Sequence, residues 1–341
     1  MTVGETAEKR PGGSLTLLVV LTLLLVGSAV GSAFLGAQAL PIGEMWRALL
    51  AGPNAEGVDH VATILWSIRA PRIVLAGACG WMLASAGVGF QGVLRNPLAD
   101  PFITGIAGGA AIGASCAVLF GFAGALAGFG ASAAAFACAF GGASLVYWTS
   151  RRGGRTSVGA FLLAGVAIGS VLWAAITLLL IIAQQSFERI VFWLMGSFSM
   201  ATWGQVGVAL GVGGVGVLGL LGLAKGLNVY SLGEESAAHL GVDVERVKGG
   251  VLLFGSLATA AAVSVAGIIG FVGLIVPHIG RRLVGPEHRL LYVAAGLLGA
   301  SVLIAADTLA RAALPPREIP VGVLTALIGA PFLVGLLRTR S

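Results

Sequence analysis

The chain has 341 residues, of which 57% are hydrophobic and 10% are charged, against about 25% charged in an ordinary soluble domain. Its formal charge of +6 comes from 20 Lys and Arg against 14 Asp and Glu. These charges fall mostly in the gaps between apolar blocks rather than on a basic stripe, which argues against a nucleic-acid partner. Several blocks run for about 18 residues or more without a charge, the length a helix needs to cross about 30 Å of hydrocarbon. Composition therefore predicts an all-α, polytopic membrane protein embedded in a lipid bilayer.

In chain order, the first block, Leu15 to Leu35, follows Lys9 and Arg10. It is long for the apolar core of a signal peptide and reads as a retained span at 14–37 after a tail at 1–13. Further spans are expected at 70–93, 102–122, 126–148, 157–182, 203–224, 248–267, 268–283, 290–310 and 320–337, ten in all. No soluble domain is expected, and 14–341 reads as one membrane domain. The 54 glycines argue for helix backbones in close approach. Gly105, Gly109 and Gly113, and Gly222 with Gly226, are the spacings expected to mark such contacts.

Arg69 and Arg72 flank Pro71 at the mouth of the second span, where a first-turn proline suits a helix start. They either snorkel to headgroups or present a basic patch to an acidic partner, and Arg311 joins them if the helices converge. Cys79, Cys116 and Cys138 each lie in an apolar block without a close partner, as small core residues do. The run Gln91 to Pro101, with Asn96, Pro97 and Asp100, predicts a turn between spans.

The segment 231–246, SLGEESAAHLGVDVER, is a polar helix signature between two spans. Ser231 with Glu234 reads as a capping box, Gly241 as a stop, and Asp243 as the cap of the next helix. A short capped helix on a membrane face suits docking of a cytoplasmic partner better than plain connection. His60, His239, His278 and His288 read as hydrogen-bonded structural residues rather than metal ligands. Asp307 is the acid well inside a span, with Arg311 four residues on, and helical spacing predicts an ion pair between them.

With the N-terminus inside, inner connections collect 14 of the 20 cations, so both termini are expected in the cytoplasm. None of the lysines stands in a GxxxxGK[ST] phosphate-cradling loop, so ATP and Mg would belong to another chain and no cofactor is expected in this one. HExxH, GxSxG and paired-carboxylate arrangements are also missing, which argues against an enzyme. A proton-coupled secondary transporter would want more buried acids than Asp307.

The runs RAPRIVLAGACGWMLASAGVGFQGVLRNPLADPFITGIAGGAAIGA, FWLMGSFSMATW, SLGEESAAHLGVDVERVK, GIIGFVGLIVPHIGRRLVGP and REIPVGVLTALIGAPFLVGLL resemble the FecCD family of importer permeases. The resemblance covers nearly all of the chain after about residue 60. It implies a ten-span type II permease of an ATP-binding-cassette importer in the cytoplasmic (inner) membrane. It also implies a homodimer, two cytoplasmic ATPase subunits and an extracytoplasmic substrate-binding protein. By the same resemblance, Arg69, Arg72 and Arg311 dock the binding protein, and Gly233, Glu234, Glu235, Ala237, Leu240 and Gly241 form the coupling helices that sit on the ATPase. The inner gate falls near Ser157, Val158 and Gly159. Cobalamin members carry hydroxyl residues where this chain has Val158 and Gly159, so an iron chelate, ferric siderophore or haem, is expected ahead of cobalamin.

Overall fold

The computed structural model describes residues 11–36, 40–53 and 59–338. Most of the expected tail, with Lys9 and Arg10, and Arg340 at the other terminus, lie outside the described residues. The helices in chain order are α1 (Pro11–Phe34), α2 (Ile42–Ala51), α3 (His60–Val93), α4 (Ile106–Leu119), α5 (Gly130–Ser150), α6 (Val158–Ile182), α7 (Phe187–Leu194), α8 (Trp203–Tyr230), α9 (Glu234–His239), α10 (Val244–Ala266), α11 (Val272–Val284), α12 (His288–Ala312) and α13 (Val321–Arg338). A small hairpin, β1 (Arg151–Arg152) with β2 (Arg155–Thr156), joins α5 to α6. Leaving out the short α2, α7 and α9, ten helices stand where ten spans were expected. Among the described residues, seven of them are long and apolar enough to cross a membrane.

Because the spans alternate in direction, the connections other than the buried stretch 267–271 lie at one of two ends. The arginine end carries α2, 183–202 and 313–320, and the short-helix end carries 94–105, the hairpin, α9 and the turn into α12. α3 is the central post, packed against α8, α10, α11 and α12. α3, α10 and α12 bury most of their surface, whereas α1 and α6 leave most of theirs open.

Glycine sets the closest approaches. A Cβ on Gly80 would collide with the Gly299 carbonyl, joining α3 to α12, and one on Gly87 would meet the Gly273 carbonyl of α11. Gly109 and Gly113 lie against the Cys138 and Ala134 carbonyls of α5, as their spacing predicted. Gly226 abuts Val247, but a Cβ at Gly222 would meet nothing within 4 Å, so the second expected pair makes one contact rather than two.

The helix expected to start at Pro71 starts earlier, at His60, between the spans expected at 14–37 and 70–93. Pro71 has no N–H, and its ring would crowd the carbonyl of Ser67 in a regular helix. The chain widens to a π turn over Ile64–Arg69, where the Ala70 N–H bonds the Leu65 carbonyl five residues back, and the helix continues. α4 is shorter than expected because Asp100 accepts from the Phe102 N–H at 2.8 Å and starts a 3-10 turn, Pro101–Thr104. α11 has 13 residues and covers about 20 Å. The non-helical stretch 267–271 before it is buried in protein at Ile269, the condition under which irregular backbone is tolerated at such depth.

Candidate docking and coupling sites

A helix leaves its last carbonyls without partners, and at α1 arginines from two other helices supply them. Arg69 Nη1 donates to the Ala33 carbonyl at 2.6 Å and to the Phe34 carbonyl at 3.3 Å. Arg311 Nη2 donates to the carbonyl and hydroxyl of Ser32. Cations at a helix C-terminus also suit the macrodipole. Arg72, one turn below Arg69 on α3, forks onto Asp307 of α12, with Nε to Oδ2 at 2.8 Å and Nη2 to Oδ1 at 2.9 Å. Its Nη1 takes both oxygens of Glu318, at 3.0 and 2.9 Å.

The three arginines therefore converge, but they do not form an exposed basic patch: Arg69, Arg72 and Arg311 are 4%, 6% and 4% exposed. The ion pair read from helical spacing is present, but it is the longer of two that Asp307 makes. Arg311 Nε stands 3.9 Å from Asp307, while Arg72 takes the carboxylate directly because α3 and α12 touch backbone to backbone at Gly80 and Gly299. Glu318, missed in the sequence although it lies in the run REIP, is the open edge of the cluster. It faces a cleft of about 620 Å³ shared with Glu188, Phe192, Ser197, Ser199 and Arg317.

At the opposite end, α8 runs to Tyr230 and α9 begins at Glu234 with Gly233 at φ 125° as its cap. The expected capping box does not form. Ser231 Oγ donates to the Asn228 carbonyl at 2.6 Å, and the Glu234 carboxylate turns instead to the Tyr230 hydroxyl at 3.1 Å and to Lys248. The other signals behave as read. Gly241 takes φ 79° after the helix, and Asp243 Oδ1 accepts from the Arg246 N–H at 3.0 Å to cap α10. Ala237 is fully buried, while Glu235 is exposed, and Leu232 and Leu240 are 67% and 64% exposed. α9 thus shows an acid to its surroundings, with an exposed leucine on either side of it.

Next to α9 lies the region of the expected gate. Ser157 caps α6, its Oγ accepting from the Ala160 N–H at 3.4 Å; Val158 is partly buried and Gly159 exposed. Tyr230 is held under the Arg95 guanidinium, 4.5 Å above its ring, and Arg95 Nη2 donates to the Tyr230 carbonyl at 2.9 Å. His288 bonds Asn228, and among the described residues no three His, Cys, Asp or Glu gather as a metal site. Two groups outside the membrane spans are shifted. Burial, partly offset by the Phe102 N–H, pushes the Asp100 carboxyl up to about 6. Burial also raises Glu287, but the Leu290 N–H, Asn228 and the Arg289 N–H outweigh it and hold its carboxyl below the usual range.

A ten-span bundle with a buried charge cluster at one end and a short exposed helix at the other is a membrane permease, one whose sequence holds no phosphate-cradling loop. Residues 19–339 match the FecCD transport family, and the chain belongs to that family. It is 44% identical over 311 residues to a cobalamin import system permease protein of Halobacterium salinarum, covering 89% of this chain and 83% of that one. It is 39% identical to a hemin transport system permease protein of Yersinia pestis, covering 95% and 96% of the two chains. Among solved structures it superposes with a TM-score of 0.84, at 34% identity, on a chain described as an inward-facing conformation of a metal-chelate type ABC transporter, covering 96% of this chain and 100% of that one. The protein is thus the permease subunit of an ATP-binding-cassette importer.

Proposed function

We propose that two copies of this chain form a path for a bulky metal chelate, that two separate ATPase subunits drive it from the short-helix end, and that a binding protein delivers the ligand at the arginine end. The short-helix end then faces the cytoplasm, with both termini on that side. The observation that carries the reading is α9, which offers Glu235, flanked by the exposed Leu232 and Leu240, beside the expected gate at Ser157, Val158 and Gly159. The open apolar surface of α6, including Leu163, Val166 and Trp173, supports a path or partner face beside that gate.

For the ligand we propose a metal tetrapyrrole, haem or cobalamin, ahead of a ferric siderophore. Similarity to a cobalamin permease and a hemin permease supports this choice, and it moves cobalamin up from the place that Val158 and Gly159 alone suggested. ATP-dependent uptake into proteoliposomes by the permease, its ATPase and its binding protein tests the reading with haem, cobalamin and a ferric siderophore in parallel. Accumulation of a tetrapyrrole supports it. Accumulation of the siderophore alone overturns the ligand, and uptake without any ATPase overturns the importer mechanism.

A further inference from the structure

A lysine buried one turn into an apolar helix has to be neutralised where it lies. Lys248 of α10 is 2% exposed, and three groups from three elements meet its ammonium. Nζ donates to the Thr156 carbonyl of β2 at 2.9 Å and pairs with Glu245 of α10 at 2.6 Å. It reaches both carboxylate oxygens of Glu234, the first residue of α9, at 3.5 Å. Glu245 Oε2 closes the ring by accepting from the Thr156 N–H at 2.8 Å. Thr156 precedes Ser157, the cap of α6.

The distances grade these contacts. The hairpin and α10 are bound as one unit through short, charge-assisted bonds, and α9 is attached to that unit by the longest contact. The Tyr230 hydroxyl holds Glu234 from the other side, at 3.1 Å, so its carboxylate is directed into the permease even though its side chain is half exposed. Remove the lysine, and Glu234 and Glu245 are left facing each other as like charges.

We propose that Lys248 is a positioning residue that carries a displacement of α9 to the turn at 151–157, and so to the first residues of α6, and that Glu234 serves this internal link while Glu235 and Leu240 face the ATPase. The proposal rests on the reading of 233–241 as the ATPase docking segment. A push on α9 then reaches the gate through one ammonium group rather than through the length of a span.

The test uses the permease reconstituted with its ATPase and binding protein. Glu234→Gln weakens the α9 contact but leaves Lys248 its bonds to Thr156 and Glu245, so folding is retained. The expected result is ATPase association and hydrolysis within about twofold of the parent, with uptake per ATP lowered about fivefold or more, the size of an ordinary coupling energy. Lys248→Met should uncouple in the same way, and Lys248→Arg should restore part of the ratio. If Glu234→Gln transports with the parent's ratio, or loses ATPase association together with uptake, the internal link is wrong. If Lys248→Met fails to accumulate in the membrane, the Glu234→Gln result alone decides. Leu240→Asp separates the two levels: continued association in that variant overturns the docking reading itself, whatever Glu234→Gln does.

Discussion

Arg72 and Asp307 lie on α3 and α12, far apart in sequence, and meet at 2.8 Å with side chains 7% and 2% exposed. A pair sealed this well is bound into the fold, and its hydrogen bonds fix the rotation of one central helix against the other. Glu318, on the same guanidinium, is 33% exposed. One arginine therefore holds a buried structural carboxylate on one edge and an exchangeable one on the other.

Asp307→Asn leaves two buried guanidinium groups short of a carboxylate and should lower stability by about 3 kcal/mol. Glu318→Gln, at the partly exposed position, should lower it by about 1 kcal/mol or less. Thermal unfolding of the two variants in one detergent checks this. Equal losses would mean that Asp307 is less committed to Arg72 than the geometry says.

Reversing Arg69 or Arg72 to Glu is a poor test of docking, because a carboxylate at 72 would be buried beside Asp307 and one at 69 would face the open carbonyls at the end of α1. Glu318 gives the better handle. If a carboxylate of the binding protein comes to Arg72, Glu318 competes with it, so Glu318→Gln should tighten docking several-fold at low ionic strength and less at high salt, where the Debye length shrinks to about 3 Å at 1 M. Titration of the binding protein onto the permease in nanodiscs at two salt concentrations reads it. Unchanged or weaker docking at low salt removes the competition.

Gly113→Leu drives a side chain into the Ala134 carbonyl of α5 and should destabilise by about 3 kcal/mol, whereas Gly222→Leu enters open space and should stay within about 0.5 kcal/mol. The amount of each variant recovered from membranes and its unfolding midpoint measure the difference. Comparable behaviour of the two would mean that the α4–α5 hairpin can separate at little cost.

Asp100 binds its proton more tightly in the folded chain, with its carboxyl at about 6, than in the unfolded one. The sign follows from linkage: its contribution to stability is greatest at low pH and declines as pH rises toward about 6, by at most about 1.4 kcal/mol per pH unit, then stays level. Asp100→Asn keeps an oxygen to accept the Phe102 N–H and should flatten that decline. A variant whose unfolding midpoint follows the parent's pH course would show that Asp100 titrates normally.

The sequence made the spans legible because uncharged blocks of membrane length have few alternative fates, and Gly241 and Asp243 were legible because stops and caps act within one turn. What escaped was decided across the fold. Ser231 with Glu234 had the spacing of a capping box, but Tyr230 and Lys248 compete for the carboxylate, and nothing local signals that. Lys248 is one of 20 cations in the sequence, and its burial follows from where the hairpin lands, which no local pattern signals. Arg69 read as a surface cation because the open carbonyls at the end of α1 become visible only when that helix is set beside α3.

α3 runs unbroken for 34 residues, so it is about 50 Å long at about 1.5 Å per residue, some 20 Å more than the hydrocarbon layer. Its upper arm is tied to two neighbours: Trp66 Nε1 donates to the Ala48 carbonyl at 3.1 Å, and Trp203 Nε1 donates to the Trp66 carbonyl at 2.9 Å. Its lower arm ends at Gln91, bonded to the Leu274 carbonyl at 3.1 Å and to Arg281. Between them, Gly80 and Gly87 rest on the backbones of α12 and α11 with no side chain to cushion the contact. One continuous helix therefore ties contacts near Trp66 to contacts near Gln91, with backbone-to-backbone rests between them.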